Sequence, residues 1–311
     1  MSKKHRRRNA LPVGRPAAEL SGTTPALAPV EPARSGTILD IVMPIYGEWD
    51  MAEKAVATVP SACEGLKEGY RLIVVDNGTP PWRNGEGQEV SAADQAIGIK
   101  SKMRPTDVFL RLDQNMGYPG GCNHGVARGR SPLILIWTAD VTMDPGTIPA
   151  LVREFDDPSV GVVGAFLRFP MDESPHGPSG KVQHAGIAFN ILGDPFHIFI
   201  GWSPENPRVS QRRAVAAVTG AFFATRRPLW ERIKGFSQIY GGGTFEDLDF
   251  CFSVADLGQQ VIFNPAIRGY HYVGGSIKKG AMRPRFNLPL NATIFRGRWA
   301  QKLQWDEWRY W

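Results

Sequence analysis

Leu133-Ile-Leu-Ile-Trp-Thr-Ala-Asp-Val-Thr-Met-Asp-Pro145 is the stretch that decides the fold. Its five leading apolar residues, Leu133 to Trp137, are too few for an ordinary helix and suit a strand buried on both faces. The run stops at Thr138-Ala139-Asp140, and Asp144-Pro145 then offer an N-cap and a first helical position. Asp140 is thereby placed at the carboxyl end of a central strand, the edge of an open α/β sheet where ligands bind. The competing reading of a lone Asp there is that it only caps a turn.

Outward from this strand the same pattern repeats. Ile38–Ile45 reads as a first strand ending in Pro44-Ile45-Tyr46-Gly47, and Asp50 with Glu53 reads as a capping pair opening a helix through Val59. Arg71–Val75 is a second buried strand closed by Asp76-Asn77-Gly78-Thr79. A polar segment follows over 80–106, with a short helix at Ala92–Ile99. Val108–Leu112 is a third strand, and the glycine-rich Asn115–Gly125 enters a helix through Arg128. Strands separated by helical patterns predict βαβ units and a mostly parallel central sheet flanked by helices, an α/β fold.

The second half is less regular. Val160–Val163 and Lys181–Phe189 read as strands, and Ala214–Ala224 is an apolar stretch interrupted by Thr219-Gly220. Pro228–Lys234 is a short helix stopped by Gly235. Leu248, Cys251, Phe252 and Ala255 fall on one face of a helix ending at Gly258. Gln260–Asn264 and Ile267–Tyr272 complete the predicted core.

With 42% hydrophobic residues in a chain of 311, a sizeable core is expected and global disorder is excluded. The net charge of +6 is mostly local, since Lys3, Lys4, Arg6, Arg7 and Arg8 sit in a Pro- and Ala-rich start. Residues 1–36 are therefore expected to be a disordered basic arm, and the rest of the chain gives no basis for a nucleic-acid surface. Three widely spaced cysteines suggest a reducing compartment. No apolar run approaches a membrane span, and no apolar core follows the basic start, so a soluble, cytoplasmic protein is expected. Residues 291–311 hold four of the nine tryptophans, interleaved with arginine. This end reads either as a helix lying on a membrane surface or as one packing on the domain or a second subunit.

Several constellations carry chemistry. Asp76 closes a strand at the same edge as Asp140, where a carboxylate can meet a base N–H or ribose hydroxyls. Asn115-Met-Gly-Tyr-Pro-Gly-Gly-Cys-Asn123 lets backbone approach a ligand, without the Gly-Lys-Ser/Thr of a Walker loop. Glu246-Asp247-Leu-Asp249 opens a helix behind Tyr240-Gly-Gly-Gly-Thr244, a side-chain-poor and mobile-looking approach; an ionised Asp there can take a proton from a hydroxyl. His271 ends the last core strand, where with Asp140 it can complete a partial Mn²⁺ or Mg²⁺ site.

Taken in order, IVMPIYG, VVDNGT, NMGYPGGCNHGVARG, LIWTAD, TGAFFATRRPLWERIKGF, FEDLDFCFSVADLG and His271 resemble the family 2 glycosyltransferases, over roughly 37–274. The resemblance implies a GT-A (Rossmann-like) fold over 37–280, and the Trp- and Arg-rich end is then expected to be a C-terminal aromatic and basic helix over 281–311. It implies an inverting transfer from a UDP-, dTDP- or GDP-sugar to an acceptor hydroxyl. Pro44 and Tyr46 would then line the nucleotide pocket, with Asp76 on the base. Asn115, Gly117 and Asn123 would border the nucleotide-sugar, and Gly220 would lie in the cleft floor. Asp140 matches the last carboxylate of the metal motif and His271 the late metal-binding histidine. Asp247 matches the catalytic base of a pair with Glu246.

Thr138 stands where the family's first metal-motif carboxylate is expected, so strict metal dependence is not implied. The alternatives are a non-catalytic sugar-nucleotide-binding or scaffold descendant and a nucleotidyltransferase; the latter is disfavoured because PIYGEWD ends the first strand in place of a basic phosphate loop. Whether the acceptor is a glycan, lipid, protein or modified nucleic acid is left open by the sequence.

Overall fold

The computed structural model describes residues 36–83, 86–172, 177–273 and 287–310. The basic arm expected over 1–36 and the boundary expected at 280/281 fall outside these, apart from Gly36. Strand β1 (Thr37–Ile45), helix α1 (Trp49–Ala62) and strand β2 (Gly69–Asp76) form the first βαβ unit. A polar excursion carries β3 (Trp82–Arg83), β4 (Glu89–Val90), α2 (Ala92–Gln95) and α3 (Ile97–Lys102). Then come β5 (Val108–Arg111), α4 (Gly117–Val126) and β6 (Leu133–Trp137).

The second half runs β7 (Val141–Met143), α5 (Thr147–Glu154), β8 (Val160–Arg168), β9 (Val182–His184), β10 (Ile187–Phe189) and β11 (Pro195–His197). It continues with β12 (Arg213–Ala214), β13 (Phe222–Arg226), α6 (Arg227–Ile233), α7 (Glu246–Asp256) and β14 (Gln260–His271). A C-terminal helix, Leu288–Trp299, and a short 3-10 turn, Glu307–Arg309, end the described chain.

The ten-stranded sheet has the order β12-β14-β8-β13-β6-β1-β2-β5, with β7 added to β14 and β9 to β8. β5, β2, β1 and β6 are parallel neighbours, and β14 is parallel to β8. β13 is antiparallel to both β6 and β8, so those two share one direction and the long strands all point their carboxyl ends to one edge. Side-chain alternation divides the core. Ile134 and Ile136 pack into one layer with Val42, Cys122 and Val126. Leu133, Leu135 and Trp137 pack into the other with Met43, Val56 and Ile148. Helices cover both faces, and that is why Leu133–Trp137 is apolar throughout.

Some local expectations are corrected. Asp144 does not cap α5: β7 returns along β14 and keeps the chain extended through Met143, so the helix starts only after Gly146 turns at φ 69°. Asp144 instead pairs with Arg168 at 2.6 Å. Asp50 and Glu53 form no capping pair, because Glu48 is the N-cap residue of α1 and makes no side-chain cap bond. Glu53 faces Lys102 of α3 at 3.2 Å, and α1 carries Pro60 through to Ala62. The helix predicted at Ala92–Ile99 is two short ones, and Lys181–Phe189 is split into β9 and β10. The two last strands are one, β14, with a register shift between Asn264 and Arg268.

The C-terminal helix packs on the domain. Phe295 and Trp299 are buried, with Phe295 stacked on Phe189 and edge-on to Phe252. Trp305 and Trp308 are exposed. Among the described residues no helix is long and apolar enough to cross a membrane.

Candidate active site

The common direction of β1, β2 and β6 brings their carboxyl ends to one place, where a cavity of about 250 Å³ opens. Pro44 and Tyr46 reach it from β1, and Thr138 and Asp140 from β6. Gly220, Glu246, Asp247 and His271 complete the set of sequence-predicted residues that it brings together.

Asp140 follows a tight turn after β6, in which Trp137 Nε1 donates to Val141 O at 2.8 Å and Thr138 N to Ala221 O at 3.0 Å. Tyr272 N donates to Asp140 O at 2.8 Å, so the end of β14 is tied to this turn. Thr138 Oγ1 donates to Asp140 Oδ1 at 2.7 Å, and His271 Nε2 lies 3.6 Å from the same oxygen. Burial pushes the Asp140 pKa up, but His271 and the Thr138 hydroxyl outweigh it and hold the group at about 2. His271 Nδ1 is 3.2 Å from Gln183 Oε1, an acceptor, so Nδ1 carries a proton and Nε2 is the nitrogen that faces Asp140. One carboxylate oxygen and one imidazole nitrogen lying side by side are a donor pair that would suit a Mn²⁺ or Mg²⁺. No group of three or more potential ligands lies among the described residues.

Asp247 stands in the first turn of α7. Gly220 N donates to its Oδ2 at 2.7 Å and Leu248 N to its Oδ1 at 2.8 Å, which fixes the plane of the carboxylate. Burial nevertheless raises its pKa above the ordinary aspartate value. Beside it, Glu246 is 4% exposed, and burial followed by the charge of Asp247 pushes its pKa well up. Thr244 and Phe245, at φ 76° and 72°, force the turn that aims both carboxylates inward, a strained backbone of the kind found at functional sites. Asp249 has another task. It accepts from Tyr240 Oη at 3.0 Å and Trp299 Nε1 at 2.8 Å, away from the cavity.

The remaining candidates do not line this cavity. Asp76 is fully buried, ion-paired with Arg111 and accepting from Thr79 N at 2.9 Å, and it is Asn77 that reaches the cavity wall. Asn115 and Asn77 clamp the start of α4: Asn115 Oδ1 accepts from Gly117 N at 2.8 Å, and Asn77 Oδ1 from Met116 N at 3.0 Å. Gly117, at φ 74°, leaves room for the glycine loop, since a Cβ there would stand 2.3 Å from Gly241 O. Asn123 spends both amide atoms on the backbone of Phe236, at 2.8 and 3.0 Å.

Two residues had no sequence signal. Tyr118 Oη donates to Gly220 O at 2.7 Å and so holds the residue whose N–H binds Asp247. Asn291, on the C-terminal helix, donates to Tyr240 O and Gly243 O at 2.9 and 2.8 Å. The glycine loop expected to be mobile is thus pinned.

Residues 40–233 match the sequence profile of the family described as Glycosyl transferase family 2, more than half of the chain. The O-antigen biosynthesis protein RfbC of Myxococcus xanthus is 28% identical over 189 residues, covering 57% of this chain and 14% of that one. A mannosyltransferase from Pyrobaculum calidifontis, solved with GDP-Man and Mn²⁺, has a TM-score of 0.53 at 14% identity, over 88% of this chain and 72% of that one. GalNAc-T7, solved with UDP, GalNAc and Mn²⁺, gives 0.56 at 13% identity, over 75% and 42%. These two likenesses establish the GT-A fold. The chain spans 25%, 14% and 56% of the lengths of the first three curated relatives that it matches.

Proposed function

The chain belongs to glycosyl transferase family 2, and on that premise we propose that it moves a sugar from a UDP-, dTDP- or GDP-sugar to an acceptor hydroxyl with inversion, Asp247 acting as general base. The observation that carries this reading is the setting of Asp247. It is a carboxylate in the cavity wall, fixed by Gly220 N and Leu248 N and raised in pKa by burial. Each of its oxygens keeps a lone pair for the acceptor proton. As that proton moves to Asp247, the acceptor oxygen bonds to the anomeric carbon and the bond to the diphosphate breaks, releasing a nucleoside diphosphate.

Asp140 and His271 would hold a divalent ion, which when bound supplies positive charge to the leaving diphosphate. Two structural neighbours solved with Mn²⁺ support a divalent ion here, and the closeness of Asp140 and His271 supports these two as its ligands. Tyr46 lines both this cavity and a larger one of about 570 Å³ that Thr79 and Trp82 also line, which suits a nucleoside base against aromatic faces. The described cysteines, Cys63, Cys122 and Cys251, are buried and unpaired, which supports a reducing, cytoplasmic setting.

The test is incubation of the purified protein with a panel of nucleotide sugars and Mn²⁺, reading nucleoside diphosphate release and the anomeric configuration of the product by NMR. Release from one donor with inversion is expected. A product of retained configuration, or no release from any donor, overturns the reading.

A further inference from the structure

A second cavity, of about 180 Å³, adjoins the first and shares Thr219, Thr244 and Asp247 with it. Asp247 therefore borders two spaces, as a base acting between donor and acceptor must. Phe196, Phe245 and Leu248 give the second cavity an apolar wall, and no Lys or Arg lines it among the described residues. Its charged wall residue is Asp247 itself.

Another polar lining residue, His197, belongs to an arrangement that the transfer step leaves unexplained. Thr219 N donates to His184 Nε2 at 3.4 Å, which places the His184 proton on Nδ1. His184 Nδ1 lies 2.9 Å from His197 Nδ1, so His197 accepts there and carries its own proton on Nε2. His197 lines the cavity, and its Nε2 has no partner among the described residues. Buried His184 and half-buried His197 thus leave one N–H donor, on a ring that lines the same cavity as the Asp247 carboxylate.

We propose that this second cavity seats the acceptor, and that the acceptor is an uncharged sugar residue with one hydroxyl on Asp247 and another oxygen on His197 Nε2–H. The proposal rests on the sugar-transfer reading above. A phosphate acceptor brought against ionised Asp247, with no cation among the described residues of the wall, would meet like charge and lose its hydration uncompensated. A sugar ring places C–H groups on Phe196 and Phe245 and its hydroxyls on the two polar groups. In the step, the acceptor O–H proton passes to Asp247, its oxygen bonds to the donor's anomeric carbon, and the nucleoside diphosphate departs.

The experiment offers methyl and p-nitrophenyl glycosides of hexoses and 6-deoxyhexoses, and separately citronellyl phosphate, with UDP-, GDP- and dTDP-sugars. Products are read by mass spectrometry. Transfer to a glycoside is expected. His197→Phe should raise the acceptor KM roughly tenfold, as loss of one hydrogen bond in a desolvated site does, with a smaller effect on kcat. His197→Gln, which keeps an N–H donor, should recover part of that loss. Transfer to citronellyl phosphate alone overturns the proposal and leaves the glycosyltransferase reading standing, as does donor cleavage by water with no glycoside accepted. An acceptor KM unmoved in both variants also overturns it. If no donor is cleaved with any acceptor or water, both readings fall.

Discussion

Asn291 reaches across 51 and 48 residues of chain to donate to the carbonyls of Tyr240 and Gly243. Gly243 and Thr244 line the cavity that Asp247 also lines, so the C-terminal helix holds the loop leading to the turn that carries Asp247. Asn291→Ala leaves the buried Gly243 carbonyl without its donor, at roughly 1–3 kcal/mol, while Tyr240 O keeps Gly243 N. A lower melting temperature is expected, together with a turnover loss of roughly 10–100-fold from a displaced carboxylate. Unchanged melting and turnover would show that the clamp is dispensable.

Asp247→Asn keeps the acceptors for Gly220 N and Leu248 N on one side only and removes the proton acceptor. Donor affinity should change little while turnover falls by roughly 10²–10⁴. Asp140→Asn should weaken Mn²⁺-dependent donor binding as well, because it removes the charge beside His271. Donor titrations with and without Mn²⁺, set beside turnover, separate the two roles. Full turnover in Asp247→Asn would sink the base assignment.

Thr138 Oγ1 donates to Asp140 Oδ1 at 2.7 Å, so Thr138→Asp sets a second carboxylate against the first. Without an ion the two repel, and with one they share it. Mn²⁺ binding measured by calorimetry should tighten by about tenfold or more, with melting lowered in EDTA. Affinity equal to the parent's would mean that this edge does not face an ion.

The parts of the fold that were legible are those written in local pattern. Leu133–Trp137 announced a doubly covered strand, and its position at the sheet centre made Asp140 a ligand-edge residue. Pairings between distant backbone atoms leave no such pattern. Asn291 looked like one polar residue in an aromatic helix, because its partners are main-chain carbonyls. Asn123 sat in a promising glycine-rich segment, yet Phe236, far along the chain, takes both ends of its amide. The glycines of that segment serve packing too: a Cβ on Gly125 would stand 2.4 Å from Val42 and 2.8 Å from Val75. His184 and His197 show no period, since the chain bend between β9 and β11 is what places their rings together.

Glu246 Oε2 is buried with no hydrogen-bond partner among the described residues, next to Asp247. Burial first, and then the neighbouring carboxylates, raise its pKa well above the ordinary value. In the unfolded chain a glutamate titrates near about 4.3. Above that pH and below the raised native value, the folded protein binds more protons than the unfolded one, so stability falls as pH rises. Glu246→Gln removes this ionisation. The variant should melt at the parent's temperature near pH 4 and progressively above it toward pH 8. Its turnover should fall far less than that of Asp247→Asn. The acid limb of kcat/KM should persist in it, because burial of Asp247 itself raises that pKa and protonation below it removes the base. Melting curves of parent and variant across this range, with pH profiles of kcat/KM, make the measurement. A melting difference that stays constant with pH would show that Glu246 does not change its charge on folding.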